Sequence, residues 1–211
     1  MLSITEIFTS IQGESTFAGL PCVFVRLAGC NLRCRYCDST YAYGPGVERS
    51  VESVVEEVAG LPVTLVEITG GEPLQQPETP ELCRRLLARG RRVLVETNGT
   101  MDIGALPPGV VRIVDVKCPG SGEAGRFLAG NLAALKPEDE CKFVLCDRAD
   151  FDWAAAFVRR LDLTRRCTVL FSPVWTTLPP ADLAEWILAS GLAVRLGLQL
   201  HKVIWGGDTR R

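Results

Sequence analysis

The chain has 211 residues, 47% hydrophobic and 23% charged, a balance typical of one globular domain with a substantial core. Its 23 basic and 25 acidic residues give a net charge of −2, and no long Lys/Arg run favours a nucleic-acid surface. No uninterrupted apolar run reaches transmembrane length, and the segment from Met1 to Glu6 has no basic signal-peptide region. We therefore expect residues 1–211 to form a single domain that binds neither nucleic acid nor membrane.

Apolar runs rich in Val, Leu and Ile predict buried strands. They lie at residues 22–28, 63–69, 92–96, 110–116, 142–146, 168–171 and 193–200. Strands that alternate with helices indicate a parallel sheet with right-handed crossovers. Because six or seven strands fall short of the eight in a closed barrel, the predicted fold is α/β, a partial and open β/α barrel.

Four helices are predicted between these strands from their capping signals. The first covers residues 51–59 behind its cap Ser50. The second is capped by Thr79, with Pro80 in its first position and Gly90 after its end. The third starts at Asp150 and runs to residue 161, and the fourth covers residues 180–190 before Gly191.

Polar, glycine-rich segments follow most of the predicted strands. They are residues 29–38, 69–73, 96–99, 117–122, 172–175 and 199–202. In a parallel barrel the carboxyl ends of the strands form the active face. We therefore expect these segments, which come from the whole chain, to meet at one rim.

Three cysteines in the first of these segments carry the strongest chemical indication. Cys30, Cys34 and Cys37 are spaced by four and three residues, so one helical turn or tight loop directs all three thiols to one point. Three thiolates suit a soft metal or an iron–sulfur cluster, and they leave one coordination position open. A zinc site completed by His201 is the alternative that the residues leave open.

The chain contains nine cysteines, an odd number that favours a reducing cytoplasm rather than a disulfide framework. Five of them lie in apolar patterns and are interpreted as small core residues: Cys22, Cys83, Cys141, Cys146 and Cys167. A second cluster formed by Cys118 with the last three is a weaker alternative, because their spacing is loose.

The C-x3-C-x2-C spacing resembles the signature of the radical S-adenosylmethionine (SAM) enzymes, and Gly70-Gly71-Glu72-Pro73 resembles their GGEP motif. The resemblance implies a [4Fe-4S] cluster on the three cysteines, with SAM on the fourth iron and a 5′-deoxyadenosyl radical that abstracts hydrogen from substrate. The SAM-binding residues that it implies are Gly71, Glu72, Glu96, Asn98, Asp115, Lys117 and Ser172. An ordinary turn at the Gly-Gly-Glu-Pro segment and an ion pair between Lys117 and Asp115 are the structural alternatives.

A longer pattern, EIF…QGE…G.P..FVR.AGC followed by CNL.C..CDS, TGGEP, ETNG and Q.HK..WG, resembles the 7-carboxy-7-deazaguanine synthases. That family converts 6-carboxy-5,6,7,8-tetrahydropterin to 7-carboxy-7-deazaguanine in queuosine and deazapurine biosynthesis. Membership implies a ring contraction with loss of ammonia, Mg2+ at the substrate, a homodimer and a flavodoxin- or ferredoxin-like electron donor.

The substrate residues that this resemblance implies are Ile11, Gln12, Gly13, Glu14, Arg26 and Thr69. Amide and carboxylate groups match the donors and acceptors of a pterin edge. A guanidinium in an apolar strand suits a substrate carboxylate, and the alternative for Arg26 is an internal ion pair. Family members bind Mg2+ through a hydroxyl two residues after the third cysteine, which is Ser39 here, with Thr40 as the second choice.

Two other functions remain open from the sequence. A glycyl-radical-enzyme activase is also a compact radical SAM protein, but it needs a protein substrate and no pterin-binding Gln12 and Arg26. A zinc-stapled binding module would use the cysteines without catalysis. The role of the C-terminal tail is not assigned.

Overall fold

The computed structural model describes residues 1–207, which form a nine-stranded sheet with helices packed against it. The strands are β1 (Leu2–Ile11), β2 (Pro21–Leu27), β3 (Val47–Arg49), β4 (Leu65–Gly70), β5 (Arg92–Thr97), β6 (Val111–Asp115), β7 (Glu140–Leu145), β8 (Thr168–Pro173) and β9 (Arg195–Leu196). The α-helices are α1 (Val51–Ala59), α2 (Thr79–Ala88), α3 (Asn131–Ala134), α4 (Arg148–Leu161), α5 (Pro180–Ser190) and α6 (Leu200–Trp205).

The strand order is β3-β1-β2-β4-β5-β6-β7-β8-β9. Seven strands, β2 and β4 to β9, pair in parallel, whereas β1 pairs antiparallel with both β2 and β3. The sheet ends at β3 and β9 and does not close. This arrangement confirms the predicted α/β partial barrel with its parallel strands. It adds two strands that were not predicted, β1 and β3, which join the sheet through the antiparallel pairings of β1.

Alternation along the strands separates the core from the open face of the sheet. On β4, Val66 and Ile68 join a buried cluster with residues of α1 and α2, whereas Glu67 and Thr69 point to the opposite side and line a cavity. A second cluster joins β7 and β8 to α4 and α5, with Phe143 and neighbouring aromatic rings at its centre. The two-residue period of a strand thus gives one apolar face and one polar face.

The predicted elements differ from the structure mainly at the ends of the chain. The prediction missed β1, whose Phe8 ring stacks on Phe24 of β2 at 5.1 Å. The predicted strand over residues 193–200 is wrong beyond Arg195–Leu196, because the chain turns into α6 at Leu200. No helix within residues 1–207 is both long enough and apolar enough to cross a bilayer.

The helix positions agree with the prediction, with corrections at two amino termini. Ser50 caps α1 as predicted, by accepting a hydrogen bond from Ser53 N. Thr79 is not a cap but the first residue of α2, behind Glu78. Helix α4 begins before Asp150, because Asp147 caps it and accepts from the backbone N–H of Asp150.

The cysteines outside the motif belong to the interior. The prediction of a buried position is confirmed for Cys22, Cys83, Cys141 and Cys167, while Cys146 is only half-buried. Within residues 1–207 all nine cysteines are free.

Candidate active site

A large cavity of about 910 Å³ lies at the carboxyl ends of the parallel strands. Its walls come from the end of β1, the loop after β2, and the ends of β4 to β8, together with the segment around α6. The predicted site residues that line it are Cys30, Cys34, Cys37, Ser39, Ile11, Gln12, Gly13, Glu14, Arg26, Thr69, Gly71, Glu96, Asn98, Asp115, Lys117 and Ser172. The structure thus brings together segments that the sequence separates by more than 150 residues, as the strand-end argument predicts.

The cysteine loop is held from three sides by the loops that follow neighbouring strands. Asn98 Nδ2 donates to Asn31 Oδ1 at 2.9 Å, and Arg35 N donates to Ser121 O at 3.0 Å. Tyr36 Oη donates to Val144 O on β7 at 3.1 Å. These contacts fix the loop while its three thiols remain half-buried at the cavity.

Close backbone approach explains the glycine that follows β4. A Cβ on Gly71 would clash with the carbonyl oxygen of Gly29 and lie 2.8 Å from Cys30 Cβ. Gly71 N donates to Leu27 O at 3.1 Å, and Glu72 N donates to Gly29 O at 2.8 Å. The absence of a side chain at Gly71 therefore brings the end of β4 directly against the cysteine loop.

Two of the three motif thiols have raised pKa values because they are partly buried. Burial raises the pKa of Cys34 to about 11, although the Lys117 charge opposes this shift, and burial also raises the pKa of Cys30. Free thiols of this kind stay protonated at neutral pH, and a bound metal removes their protons.

The zinc site completed by His201, which the sequence left open, does not form within residues 1–207. Among residues 1–207, no three His, Cys, Asp or Glu side chains converge closely enough to hold one ion. His201 lies instead against Gly13, on the side of the cavity formed by β1. An iron–sulfur cage accepts thiolates that are further apart than the ligands of one tetrahedral ion, because each cysteine binds a different iron.

The residues predicted for SAM form a charged wall beside the cysteine loop. Lys117 Nζ lies 2.7 Å from Asp115 Oδ2, so the ion pair that was the structural alternative is present inside the cavity. Asp115 Oδ1 is buried and has no hydrogen-bond partner. Of the three such side-chain atoms in residues 1–207, it alone belongs to a residue that lines the cavity. An unpaired buried acceptor is costly, and it fits a ligand that brings a hydrogen-bond donor.

The residues predicted for the pterin line the same cavity. Gln12 is 3% exposed; its amide donates to Glu67 and its carbonyl accepts from Glu14 N. Arg26 Nε lies 2.8 Å from Glu6 Oε1, and its Nη1 lies 3.5 Å from Ser39 Oγ. The internal ion pair of Arg26 is therefore present, and the same guanidinium lines the cavity.

Comparison with known proteins agrees with this geometry. Residues 25–187 match the model of the radical SAM superfamily. A 7-carboxy-7-deazaguanine synthase from Koribacter versatilis is 48% identical, and the alignment covers 99% of each chain. One from Chlorobaculum tepidum is 45% identical over 99% of this chain and 96% of its own.

The chain belongs to the 7-carboxy-7-deazaguanine synthase family of radical SAM enzymes. Its fold agrees with the crystal structure of QueE from Escherichia coli, with a TM-score of 0.79 at 23% identity over 95% of this chain and 94% of that one. As a member of the radical SAM superfamily it uses a [4Fe-4S] cluster and SAM.

Two predicted site residues of this family member lie outside the cavity wall. Glu72 is fully buried, and its carboxylate accepts from Thr97 Oγ1 at 2.8 Å and from Asn98 N at 2.7 Å, so it positions the loop after β5. Thr40 begins a short 3-10 helix, Thr40–Tyr43, and it does not line the cavity, whereas Ser39 does.

Sequence reasoning did not identify Lys142 and Glu67, two buried ionisable residues that line the cavity. Lys142 on β7 and Glu67 on β4 are 4% and 2% exposed. Burial raises the pKa of Glu67 well above its usual range, and the Glu96 charge adds to this. A charged residue within an otherwise apolar strand is the signal that was used for Arg26, and the same signal was available at both positions.

Proposed function

We propose that this chain converts 6-carboxy-5,6,7,8-tetrahydropterin to 7-carboxy-7-deazaguanine, a ring contraction with loss of ammonia in queuosine and deazapurine biosynthesis. One observation carries the proposal: the cysteine loop and the pterin-directed side chains line the same cavity, in a chain aligned over nearly its full length with synthases of this family.

The cluster and SAM are assigned to the wall around the cysteine loop. Cys30, Cys34 and Cys37 would hold three irons, and the absence of a side chain at Gly71 brings the end of β4 against this loop, where the amino-acid part of SAM would bind. Asp115 offers its unpaired Oδ1 to a donor of SAM, and Asn98, Lys117, Ser172 and Glu96 complete the set. When bound, the cluster and SAM supply the one-electron chemistry that removes a hydrogen atom from the substrate.

The substrate is assigned to the second set of predicted residues in the same cavity. Arg26 presents a planar guanidinium for the pterin carboxylate, while Ile11, Gln12, Gly13, Glu14 and Thr69 face the pterin ring. Ser39 would contribute a hydroxyl ligand to Mg2+, with the adjacent Asp38 carboxylate 3.3 Å from its Oγ. Together these side chains orient the substrate and exclude water.

The partners and location follow from the same assignment. We expect a small one-electron donor of the flavodoxin or ferredoxin type, and a reducing cytoplasm that keeps the thiols free. We also propose that residues 1–211 act as one domain within a homodimer. Exposed apolar residues in β9, which is an edge strand, and in the segments before and after it support contact with a second copy there. They are Leu188, Leu196, Leu198, Val203 and Ile204.

The test is anaerobic turnover by the reconstituted, reduced protein, with and without Mg2+. We expect formation of 7-carboxy-7-deazaguanine, stimulation by Mg2+, and entry of deuterium from the abstracted position of the pterin into SAM. An intact cluster that cleaves SAM but leaves the pterin unchanged would remove the substrate assignment and favour a glycyl-radical-enzyme activase. Zinc at one equivalent, without iron or sulfide after reconstitution, would indicate a binding module.

A further inference from the structure

Lys142 is a buried cation at the centre of the cavity floor. Its side chain is 5% exposed, and its Nζ lies 2.7 Å from Glu14 Oε2 and 3.7 Å from Asp115 Oδ2. It also contacts Glu96 Oε1. Its ammonium group donates to Glu14 and Glu96, and Asp115 lies within ion-pair distance but beyond a hydrogen bond. Lys142 therefore binds carboxylates of the protein.

The three carboxylates belong to different parts of the cavity. Glu14 follows β1 on the pterin side, where its second oxygen accepts from Gln199 Nε2 at 2.8 Å. Asp115 ends β6 on the SAM side, where it also pairs with Lys117. Glu96 lies between them on β5, and its second oxygen is 3.5 Å from Thr69 Oγ1. The Lys142 ammonium therefore contacts a residue assigned to the pterin and residues assigned to SAM.

The charges show what this connection does. Three carboxylates repel one another in a cavity of low dielectric unless a cation lies between them. Lys117 pairs with Asp115, but no contact joins it to Glu14 or Glu96 among the ion pairs of residues 1–207. Loss of the Lys142 charge would leave Glu14 and Glu96 without their shared cation, and both would change orientation or protonation.

We propose that Lys142 is a positioning residue that couples pterin binding to SAM binding, an inference that rests on the proposed function. Each ligand needs part of the same network in a fixed arrangement: the pterin needs Glu14, and SAM needs Asp115. The first ligand to bind orders the network around Lys142, so the second binds to groups that are already in place. The coupling is reciprocal, because each ligand must strengthen the other by the same factor.

The experiment measures binding without turnover. The dissociation constant of SAM is determined by anaerobic calorimetry on the cluster-loaded, unreduced protein, with and without saturating 6-carboxy-5,6,7,8-tetrahydropterin. We expect the pterin to tighten SAM binding by about tenfold in the native protein. In Lys142→Met and Lys142→Gln we expect less than about a twofold effect, and Lys142→Arg should recover part of the coupling because it restores the charge.

The matched control is Arg112→Met, which removes another buried cation from the adjacent strand. Arg112 pairs with Asp139 and does not line the cavity, so its loss should lower thermal stability and leave the coupling at the native value. Native coupling in Lys142→Met or Lys142→Gln would overturn the inference, as would equal loss of coupling in Arg112→Met.

The inference and the proposed function fail separately. A native protein that turns over the pterin but binds SAM equally well with and without it would defeat the role of Lys142 alone. A native protein that binds SAM but not the pterin would defeat the proposed function.

Discussion

Two buried cations lie on neighbouring strands: Arg112 is near the amino end of β6, and Lys142 on β7 pairs with Asp115, the last residue of β6. Arg112 lies near the amino end, 3.3 Å from Asp139, and Asp139 accepts further bonds from Arg112 N and Lys136 N, both at 2.9 Å. Lys142 faces the carboxyl end and the cavity. Asp139 therefore uses both oxygens on protein groups, whereas Asp115 beside Lys142 leaves Oδ1 unpaired.

The difference teaches that burial of a charge does not by itself distinguish structure from function. At the amino end of the strands, both oxygens of Asp139 accept from protein groups, and the unpaired Arg112 Nε does not line the cavity, which is the pattern of a pair that only stabilises the fold. At the carboxyl end the same kind of network keeps an acceptor free at a cavity, which is the pattern of a group that awaits a ligand.

The largest effect is expected at the cysteine loop. Cys34→Ala should abolish turnover, because it removes one of three thiolates that hold the cluster. Iron and sulfide content and visible absorption after reconstitution measure the loss. Cys146→Ala is the control, since Cys146 is also half-buried but does not line the cavity. A Cys34 variant that retains a full cluster and turnover would contradict the assignment.

The second-largest effect is expected on stability, at Arg112 near the amino end of β6. Arg112→Met leaves the buried Asp139 carboxylate without its counter-ion and should lower the free energy of unfolding by about 3–5 kcal/mol. Urea unfolding of the metal-free protein measures it. The double variant Arg112→Met/Asp139→Asn should recover part of the stability, because Asn removes the buried charge and keeps an oxygen acceptor for a backbone N–H. Turnover per folded molecule should stay near the native value, and a selective loss of turnover would break the contrast between the two ends.

Glu67 tests the carboxyl end through its pH dependence. Its pKa is raised in the folded protein by burial and by Glu96, so the folded state keeps a proton that the unfolded chain releases above about pH 4.5. The native protein therefore loses stability as the pH rises from that value toward the folded pKa, by at most about 1.4 kcal/mol per pH unit. Glu67→Gln lacks this penalty.

The measurement for Glu67 is urea unfolding of both proteins at pH 5 and pH 7. The stability of Glu67→Gln relative to the native protein should increase over this interval. A difference that stays constant between the two pH values would show that Glu67 ionises normally.

Arg26 separates a substrate contact from an internal ion pair. Arg26→Lys keeps the charge but loses the planar fork, and we expect kcat/KM to fall about 10- to 100-fold, mainly through KM. Glu6→Gln removes the partner that lies 2.8 Å from Arg26 Nε and leaves the guanidinium in place. An equal loss in both variants would mean that Arg26 serves the ion pair with Glu6.

The sequence predicted the parallel strands and the converging rim because both depend on local patterns. Apolar runs define β4 to β8, and their polar ends must meet at one edge of a parallel sheet. It did not predict β1, whose alternation along Ser3, Thr5 and Thr9 is too polar for a buried-strand pattern. Nor did it predict which wall holds Glu96, since the contacts to Lys142 and Thr69 join strands distant in sequence.

The smallest effect distinguishes the two hydroxyls after the third cysteine. Ser39 lines the cavity and Thr40 does not, so Ser39→Ala should raise the Mg2+ concentration for half-maximal turnover by about fivefold, because a water can replace one neutral hydroxyl ligand. Thr40→Ala should leave that concentration unchanged. The measurement is initial rate against Mg2+ at saturating pterin and SAM. A larger shift in Thr40→Ala than in Ser39→Ala would move the metal to the other residue, and no shift in either would place Mg2+ on the substrate and waters alone.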